Sequence, residues 1–287
     1  MIAYLATSAF GHLYRKIDCT AGDIGALRKA IYSRTVSIPL GLHNLEEIVL
    51  APSVSPQALA AQLRLLLSIS SWRVLMKPCG QLLADDLRSF AAGAEPARPF
   101  LRGALQNAVT TGISELLESD GEELNEDFAQ ALDEVRRERE AFAAGLSECV
   151  AEYRTRFTPP SNHGDFEDYF GRIAPDAAAA LAERAGVGPE CRRRGAEALL
   201  ALKSVRMWVG AALSLACAQG AEGRPSRAEE MREVMHAVTG AAAAETFVTA
   251  DAHALPLLGR VAIDGLRTTD LKGFLAETAQ SVGERSD

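Results

Sequence analysis

Apolar and polar positions follow two different periodicities along the chain, and the dominant one changes twice. Near the start, residues 2–6 (IAYLA) form a short apolar run that ends in a polar turn, which predicts a buried strand. Residues 22–33 predict a helix, and residues 35–40 predict a second strand. Asn44 is placed to cap a further helix that begins at Leu45.

The middle of the chain has helical periodicity. In its clearest helix, apolar residues recur mostly every three, four or seven positions, and the remaining face is charged. Such a charged face is typical of a helix surface in solvent. Helices are predicted at residues 55–70, 79–93, 104–119, 121–153, 176–186 and 192–219.

The last segment returns to mixed character. It predicts a helix at 226–239, a strand at 245–249, a helix at 251–258, a short strand at 260–264 and a final helix at 269–278. Together with the first segment, this pattern predicts the α/β class, with one parallel sheet and helices on both faces.

The order of these segments predicts a discontinuous core. Residues 1–54 and 225–287 would form the α/β core, and residues 55–224 would form a large all-α insertion. An insertion of this size exceeds ordinary loop lengths. Its long amphipathic helix offers a surface for a second copy of the chain or for a protein partner.

Composition narrows the class of protein. Of the 287 residues 48% are hydrophobic, which is enough for a sizeable core, and the net charge of −8 counts against a general polyanion binder. The five cysteines include no CxxC pair, so neither a disulfide framework nor a zinc site is expected. No signal peptide and no membrane span is recognisable, and we expect a cytoplasmic protein that does not enter the membrane. No glycine-rich dinucleotide motif occurs, so a Rossmann oxidoreductase is disfavoured.

Acidic residues follow the predicted strands. Asp251 comes directly after the strand at 245–249, and Glu47 follows the second strand after a short turn. Glu230 and Glu233 share a face of the preceding helix. Oxygen-only ligands favour Mg²⁺ or Mn²⁺, which can activate water and stabilise an in-line attack on a phosphodiester. Clustered carboxylates account for part of the negative charge.

Three segments resemble motifs of the PIN-like nuclease family. They are YLATSAF at 4–10, SIPLGLHNLEEIVLA at 37–51 and SRAEEMREVMHAVTGAAAAETFVTADAHAL at 226–255. In that family, an apolar strand runs into Asp-Thr-Asn or Asp-Thr-Ser, and here Ala6 occupies the position of this aspartate. A later strand ends in Val-Thr-x-Asp, which Asp251 matches.

The resemblance implies a set of metal ligands and supporting hydroxyls. The acid of the second motif is Glu47, with Glu46 as the alternative, and which of the two helix acids reaches the metal stays open. The implied ligands for Mg or Mn are Glu47, Glu230, Glu233 and Asp251. The implied supporting residues are Thr7, Ser8 and Thr249. His43 is expected in a turn, and His236 on a helix surface.

Ala6 has no side-chain oxygen with which to bind a metal. Either an aspartate was replaced on purpose or activity was lost naturally, and the intact remainder of the pattern favours the first explanation. The resemblance thus implies a metal-dependent nuclease that cuts RNA more readily than DNA, a toxin or an antiviral defence effector, inactive as written. The alternative is a non-catalytic PIN-like scaffold that binds partners through its helical insertion.

Overall fold

The chain has an α/β fold, and a computed structural model describes residues 1–51, 54–157, 166–222 and 227–283. Its strands are β1 (Ala3–Leu5), β2 (Pro39–Gly41), β3 (Ser71–Met76), β4 (Thr246–Thr249) and β5 (Arg267–Asp270). Its helices are α1 (Thr7–Arg15), α2 (Ala21–Tyr32), α3 (Leu42–Val49), α4 (Pro56–Ser68), α5 (Cys79–Ala92), α6 (Ala104–Glu118), α7 (Glu126–Arg156), α8 (Phe166–Arg184), α9 (Gly188–Arg194), α10 (Ala196–Leu199), α11 (Lys203–Glu222), α12 (Ala228–Ala241), α13 (Ala254–Gly259) and α14 (Leu271–Gly283).

All five strands run parallel. β1, β4 and β5 form one sheet in the order β1-β4-β5, and β2 pairs with β3. A single parallel bridge between Ile2 and Ser37 joins the two parts, so the strands follow the order β3-β2-β1-β4-β5. The direction of this order reverses between β1 and β4. In open parallel sheets, the crevice beyond the carboxyl ends of the strands at such a reversal is the usual ligand site.

β1 is buried on both of its faces. Ala3 and Leu5 pack into one apolar core, while Tyr4 packs into the other, because successive side chains of a strand point to opposite sides. Val248 and Phe247 of β4 divide between the two cores in the same way. Continuous apolar runs such as these are typical of strands covered by helices on both sides.

The stretch 55–224 is not all helical, and this part of the prediction was wrong. β3 lies within it and pairs with β2 of the predicted core. The strand SWRVLM follows directly on the helical pattern of α4, which masks its own shorter periodicity. The helices after β3 also contact the core, since α7 packs against α3, and both α5 and α7 pack against α12. The second predicted boundary, between residues 224 and 225, lies outside the described residues.

Further predictions of elements also need correction, and the helix predicted at 192–219 is divided among α9, α10 and α11. The chain at 260–264 is not a strand; the strand lies at Arg267–Asp270. β2 starts at Pro39, later than predicted, and its register shifts after the proline, which has no N–H to donate. The helix predicted to begin at Leu45 begins at Leu42, so Asn44 lies in its first turn, where its side chain accepts a hydrogen bond from the Gly41 N–H at 3.0 Å.

Candidate metal site at the carboxyl ends of β1 and β4

Ala6 directly follows β1 and lies beside the neighbouring strand β4. Its backbone N–H donates to the Val248 carbonyl at 2.9 Å, and its methyl group is fully buried. It is also the N-cap of α1, where it makes no side-chain hydrogen bond. An aspartate here would therefore lie at a helix N-terminus, a position that favours negative charge.

Hydroxyl groups connect the ends of β1 and β4. The Ser8 and Thr249 hydroxyls are 3.3 Å apart. Ser8 Oγ accepts a hydrogen bond from the Ala250 N–H at 3.1 Å, and Thr249 Oγ1 accepts one from the Asp251 N–H at 2.9 Å. These contacts fix the turn after β4 against the first turn of α1.

His236 of α12 lies at the centre of the site, buried to 1% exposure. Its Nδ1 is 3.0 Å from the Tyr4 hydroxyl. Its Nε2 is 3.1 Å from Thr7 Oγ1 and 3.3 Å from Glu47 Oε2. Asn44 completes this arrangement, because its amide donates to both the Leu5 carbonyl and Thr7 Oγ1.

Glu47 and His236 form a buried ion pair. Burial alone would raise the pKa of Glu47, but the facing His236 and hydrogen bonds from His236 and Thr7 lower it to about 2. Burial would likewise lower the pKa of His236, whereas the Glu47 carboxylate raises it above its ordinary value. An acid and an imidazole thus stabilise each other's charge.

Glu233 is the second acid of the cluster. Burial raises its pKa, while His236 and hydrogen bonds with Thr249 and Ser8 act in the opposite direction. Glu233 Oε2 and Glu47 Oε1 are buried and have no hydrogen-bond partner among the described residues. Buried carboxylate oxygens left in this state are costly unless a cation or a donor meets them.

The remaining two predicted acids serve the ends of helices. One oxygen of Asp251 accepts hydrogen bonds from the N–H groups of His253 and Ala254, at 2.8 and 2.9 Å. Glu230 accepts a hydrogen bond from the Arg227 N–H at 2.8 Å, at the start of its own helix. Of the two predicted acids on α12, Glu233 is the one that hydrogen-bonds with Ser8 and Thr249.

Glu46 lies next to Glu47 in sequence but turns to a different partner. Its carboxylate is 3.2 Å from Arg139 of α7, and burial raises its pKa to about 7 although this arginine lowers it. The structure thus places Glu47, and not Glu46, beside His236.

Two cavities adjoin the predicted residues. One, of about 120 Å³, is lined by Thr7 and Glu47 among others. The other, of about 300 Å³, is lined by Thr249, Asp251 and Lys272 among others. Glu47 and Asp251 therefore border spaces large enough for water and small ions.

The predicted acids do not converge closely as the chain stands. Among the described residues, one group of three or more His, Cys, Asp or Glu side chains has its ligand atoms within 4.8 Å of one another, and that group is His43, Cys79 and Glu138. This group is adjacent to His236, because the His43 and His236 rings meet edge to face with centroids 6.2 Å apart.

The expected positions of the two histidines were wrong. His43 is fully buried inside α3 rather than in a turn, and His236 is buried rather than on a helix surface. The sequence carried a signal for His236, because it follows Glu233 at helical spacing and the second half of α12 has no charged face. His43, Cys79 and Glu138 are too far apart in sequence for their spacing to reveal a cluster.

No protein-family model, curated protein or solved structure matches the chain. The likeness to PIN-like nucleases therefore rests on the three short sequence motifs. Within the described residues, no helix is both long enough and apolar enough to cross a bilayer.

Proposed function

We propose that this chain is a metal-dependent phosphodiesterase of PIN type whose metal site is incomplete because position 6 is alanine. The observation that carries the proposal is the pair of buried, unpartnered carboxylate oxygens of Glu47 and Glu233. They belong to the cluster that surrounds the ends of β1 and β4, where the strand order reverses. A divalent cation would stabilise these two carboxylates because it would meet the oxygens that no donor among the described residues contacts.

Each residue has a distinct role in this proposal. An aspartate at position 6 would join Glu47, Glu233 and Asp251 in binding Mg²⁺ or Mn²⁺, since oxygen ligands suit these hard cations. Such an ion would supply an activated water and would stabilise the charge that develops on a phosphodiester. The resemblance to PIN-like nucleases implies RNA as the preferred substrate. The hydroxyls of Thr7, Ser8 and Thr249 hold the carboxylates in place.

The Glu47–His236 pair favours a second candidate function. A buried histidine neutralises Glu47, and both Asp251 and Glu230 use carboxylate oxygens to cap helices. A cluster satisfied in this way supports a non-catalytic scaffold that binds a protein partner. Restoration of the missing carboxylate distinguishes the two candidates.

The test compares Ala6→Asp with Ala6→Asn. The two side chains are nearly isosteric, but only aspartate brings a charged ligand. We expect Ala6→Asp to bind Mn²⁺ at least about tenfold more tightly than the parent chain, a difference of about 1.4 kcal/mol. It should also cleave single-stranded RNA, and Ala6→Asn should do neither. Calorimetry and cleavage of labelled RNA and DNA give the two measurements.

The control is the triple variant Ala6→Asp, Glu47→Gln, Glu233→Gln, which should lose both gains. If Ala6→Asp keeps the parent's circular dichroism spectrum yet gains neither Mn²⁺ affinity nor cleavage, the nuclease proposal is wrong and the scaffold is favoured.

A further inference from the structure

The helices α3, α5 and α7 bring a nitrogen, a sulfur and an oxygen ligand together next to the candidate site. His43 comes from α3, Cys79 is the first residue of α5, and Glu138 comes from the middle of α7. Their ligand atoms all lie within 4.8 Å of one another, and His43 Nε2 is 3.5 Å from Glu138 Oε2. His43 and Cys79 are fully buried, whereas the Glu138 side chain keeps 26% of its surface exposed.

We propose that His43, Cys79 and Glu138 bind one transition-metal ion of the Zn²⁺ class. Imidazole, thiolate and carboxylate are the three ligand types that proteins use for Zn²⁺, at bond lengths of about 2.0–2.3 Å. A thiolate suits Mg²⁺ poorly, so this site differs in chemistry from the carboxylate cluster. Water would take the fourth position on the side of Glu138, and the Cys79 thiol would give its proton to solvent as it binds.

The charges of the three groups leave room for a cation. Burial lowers the pKa of His43 to about 3, so the imidazole is neutral, which is the form that binds metals. Burial raises the pKa of Glu138 to about 7 and that of the Cys79 thiol well above its ordinary value. A bound divalent ion would offset the cost of ionising both groups.

One unpartnered atom supports the proposal. Glu138 Oε2 is buried and lacks a hydrogen-bond partner in the described part of the chain. The carboxylate thus has an oxygen that its protein contacts do not use.

Helix capping accounts for only some of the contacts. His43 Nε2 accepts a hydrogen bond from the Cys79 N–H at 3.1 Å, and Glu138 Oε1 accepts one from the Gly80 N–H. Both satisfy the first turn of α5, where the N-cap Pro78 offers no side-chain bond. Glu138 Oε2 serves no cap, and a metal bound to His43 Nε2 would replace the hydrogen bond from the Cys79 N–H.

Such an ion would hold three helices in place. It would link α3 to α5 and α7, and α3 also carries Glu47 of the candidate site. The ion would thus be structural, and the proposal does not depend on nuclease activity.

Cobalt provides the test, because Co²⁺ replaces Zn²⁺ and a thiolate ligand gives it a strong charge-transfer absorption in the near ultraviolet. Chelator-treated protein is titrated with Co²⁺ and then with Zn²⁺. We expect one Co²⁺ per chain, with the thiolate band, and loss of the band when Zn²⁺ displaces it. Cys79→Ser should abolish the band, whereas Cys149→Ser, a matched change at another buried thiol, should retain it.

Glu138→Gln offers a second variant at a partly exposed position, and it should weaken Co²⁺ binding at least about tenfold. The double variant Glu47→Gln, Glu233→Gln should keep the band, which separates this site from the carboxylate cluster. Absence of a stoichiometric thiolate band in the unmodified chain, or its persistence in Cys79→Ser, would overturn the proposal.

Discussion

His43 and His236 lie side by side and are equally buried, but their pKa values are shifted in opposite directions. Their rings meet edge to face with centroids 6.2 Å apart. His236 faces the Glu47 carboxylate, which raises its pKa. His43 Nε2 accepts a hydrogen bond from the Cys79 N–H, and burial lowers the pKa of His43 to about 3.

The difference shows that burial alone does not decide the charge of a histidine. The group at its nitrogen decides it, because an ionised carboxylate offsets desolvation whereas a backbone N–H needs the imidazole lone pair. Glu138 lies 3.5 Å from His43 but does not raise the pKa of His43 as Glu47 raises that of His236. The reason is that burial raises the pKa of Glu138 itself to about 7. The contact between these two residues is therefore not an ion pair.

The largest expected effect is that of His236→Leu. The substitution leaves the Glu47 carboxylate buried without its cation, which typically costs roughly 3–5 kcal/mol. Denaturant unfolding followed by circular dichroism measures the loss. Addition of Glu47→Gln to His236→Leu should recover part of the stability, and a double variant no more stable than the single one would argue against the ion pair.

His43→Leu is expected to cost less. It leaves the Cys79 N–H without an acceptor, a loss of roughly 1–3 kcal/mol. The same unfolding experiment provides the comparison. Equal or greater destabilisation than in His236→Leu would argue against the Glu47–His236 ion pair.

Tyr4→Phe should have a smaller effect still. It removes the hydrogen bond between the Tyr4 hydroxyl and His236 Nδ1, and a typical intramolecular hydrogen bond contributes about 0.5–1.5 kcal/mol. Tyr153→Phe is the matched control, because its hydroxyl donates to the Ala177 carbonyl far from the site. Both variants should lose similar stability, but only Tyr4→Phe should shift the NMR signals of the His236 ring.

The smallest effect concerns Asp86, a buried acid whose hydrogen-bond donors are neutral. Burial raises its pKa above the ordinary value of 3.8, although Ser204 and the Ala97 N–H donate hydrogen bonds to it. Because its pKa is raised, Asp86 holds its proton more tightly in the folded state than in the unfolded state. The free energy of unfolding of the protein therefore decreases as pH rises above 3.8, where the unfolded chain loses this proton first. The melting temperature of Asp86→Asn relative to the parent should therefore increase with pH from about 4 upward. A difference that shrinks with rising pH would contradict the assignment.

The sequence predicted the part of the fold that local patterns specify. Apolar runs located β1 and β4, and helical periodicity located most helices. The sequence pattern did not predict β3, because this strand depends on its pairing with β2, about 30 residues earlier, and not on its own pattern. The α5 capping contacts are equally non-local, since they come from α3 and α7.

The candidate site was predictable only as far as its acids follow strand ends. Glu47 contacts His236, and Glu233 lies close to His236 and hydrogen-bonds with Thr249. These residues lie near the strand ends, as the sequence indicated. The use of Asp251 and Glu230 as caps could not be read from the sequence, because the same residue types serve metals and helix starts alike. The charge of His236 depends on a glutamate 189 residues away.

The pairing of β1 with β4 has a consequence for the nascent chain. These neighbouring strands are separated by roughly 240 residues, which a ribosome adds in about 10–50 s at the usual 5–20 residues per second. Until Thr249 has emerged, the end of β1 lacks its neighbouring strand and Ser8 lacks its hydroxyl partner. Contacts this distant in sequence also form slowly. A growing chain therefore spends most of its synthesis without the candidate site, which would assemble only in the last stage of folding.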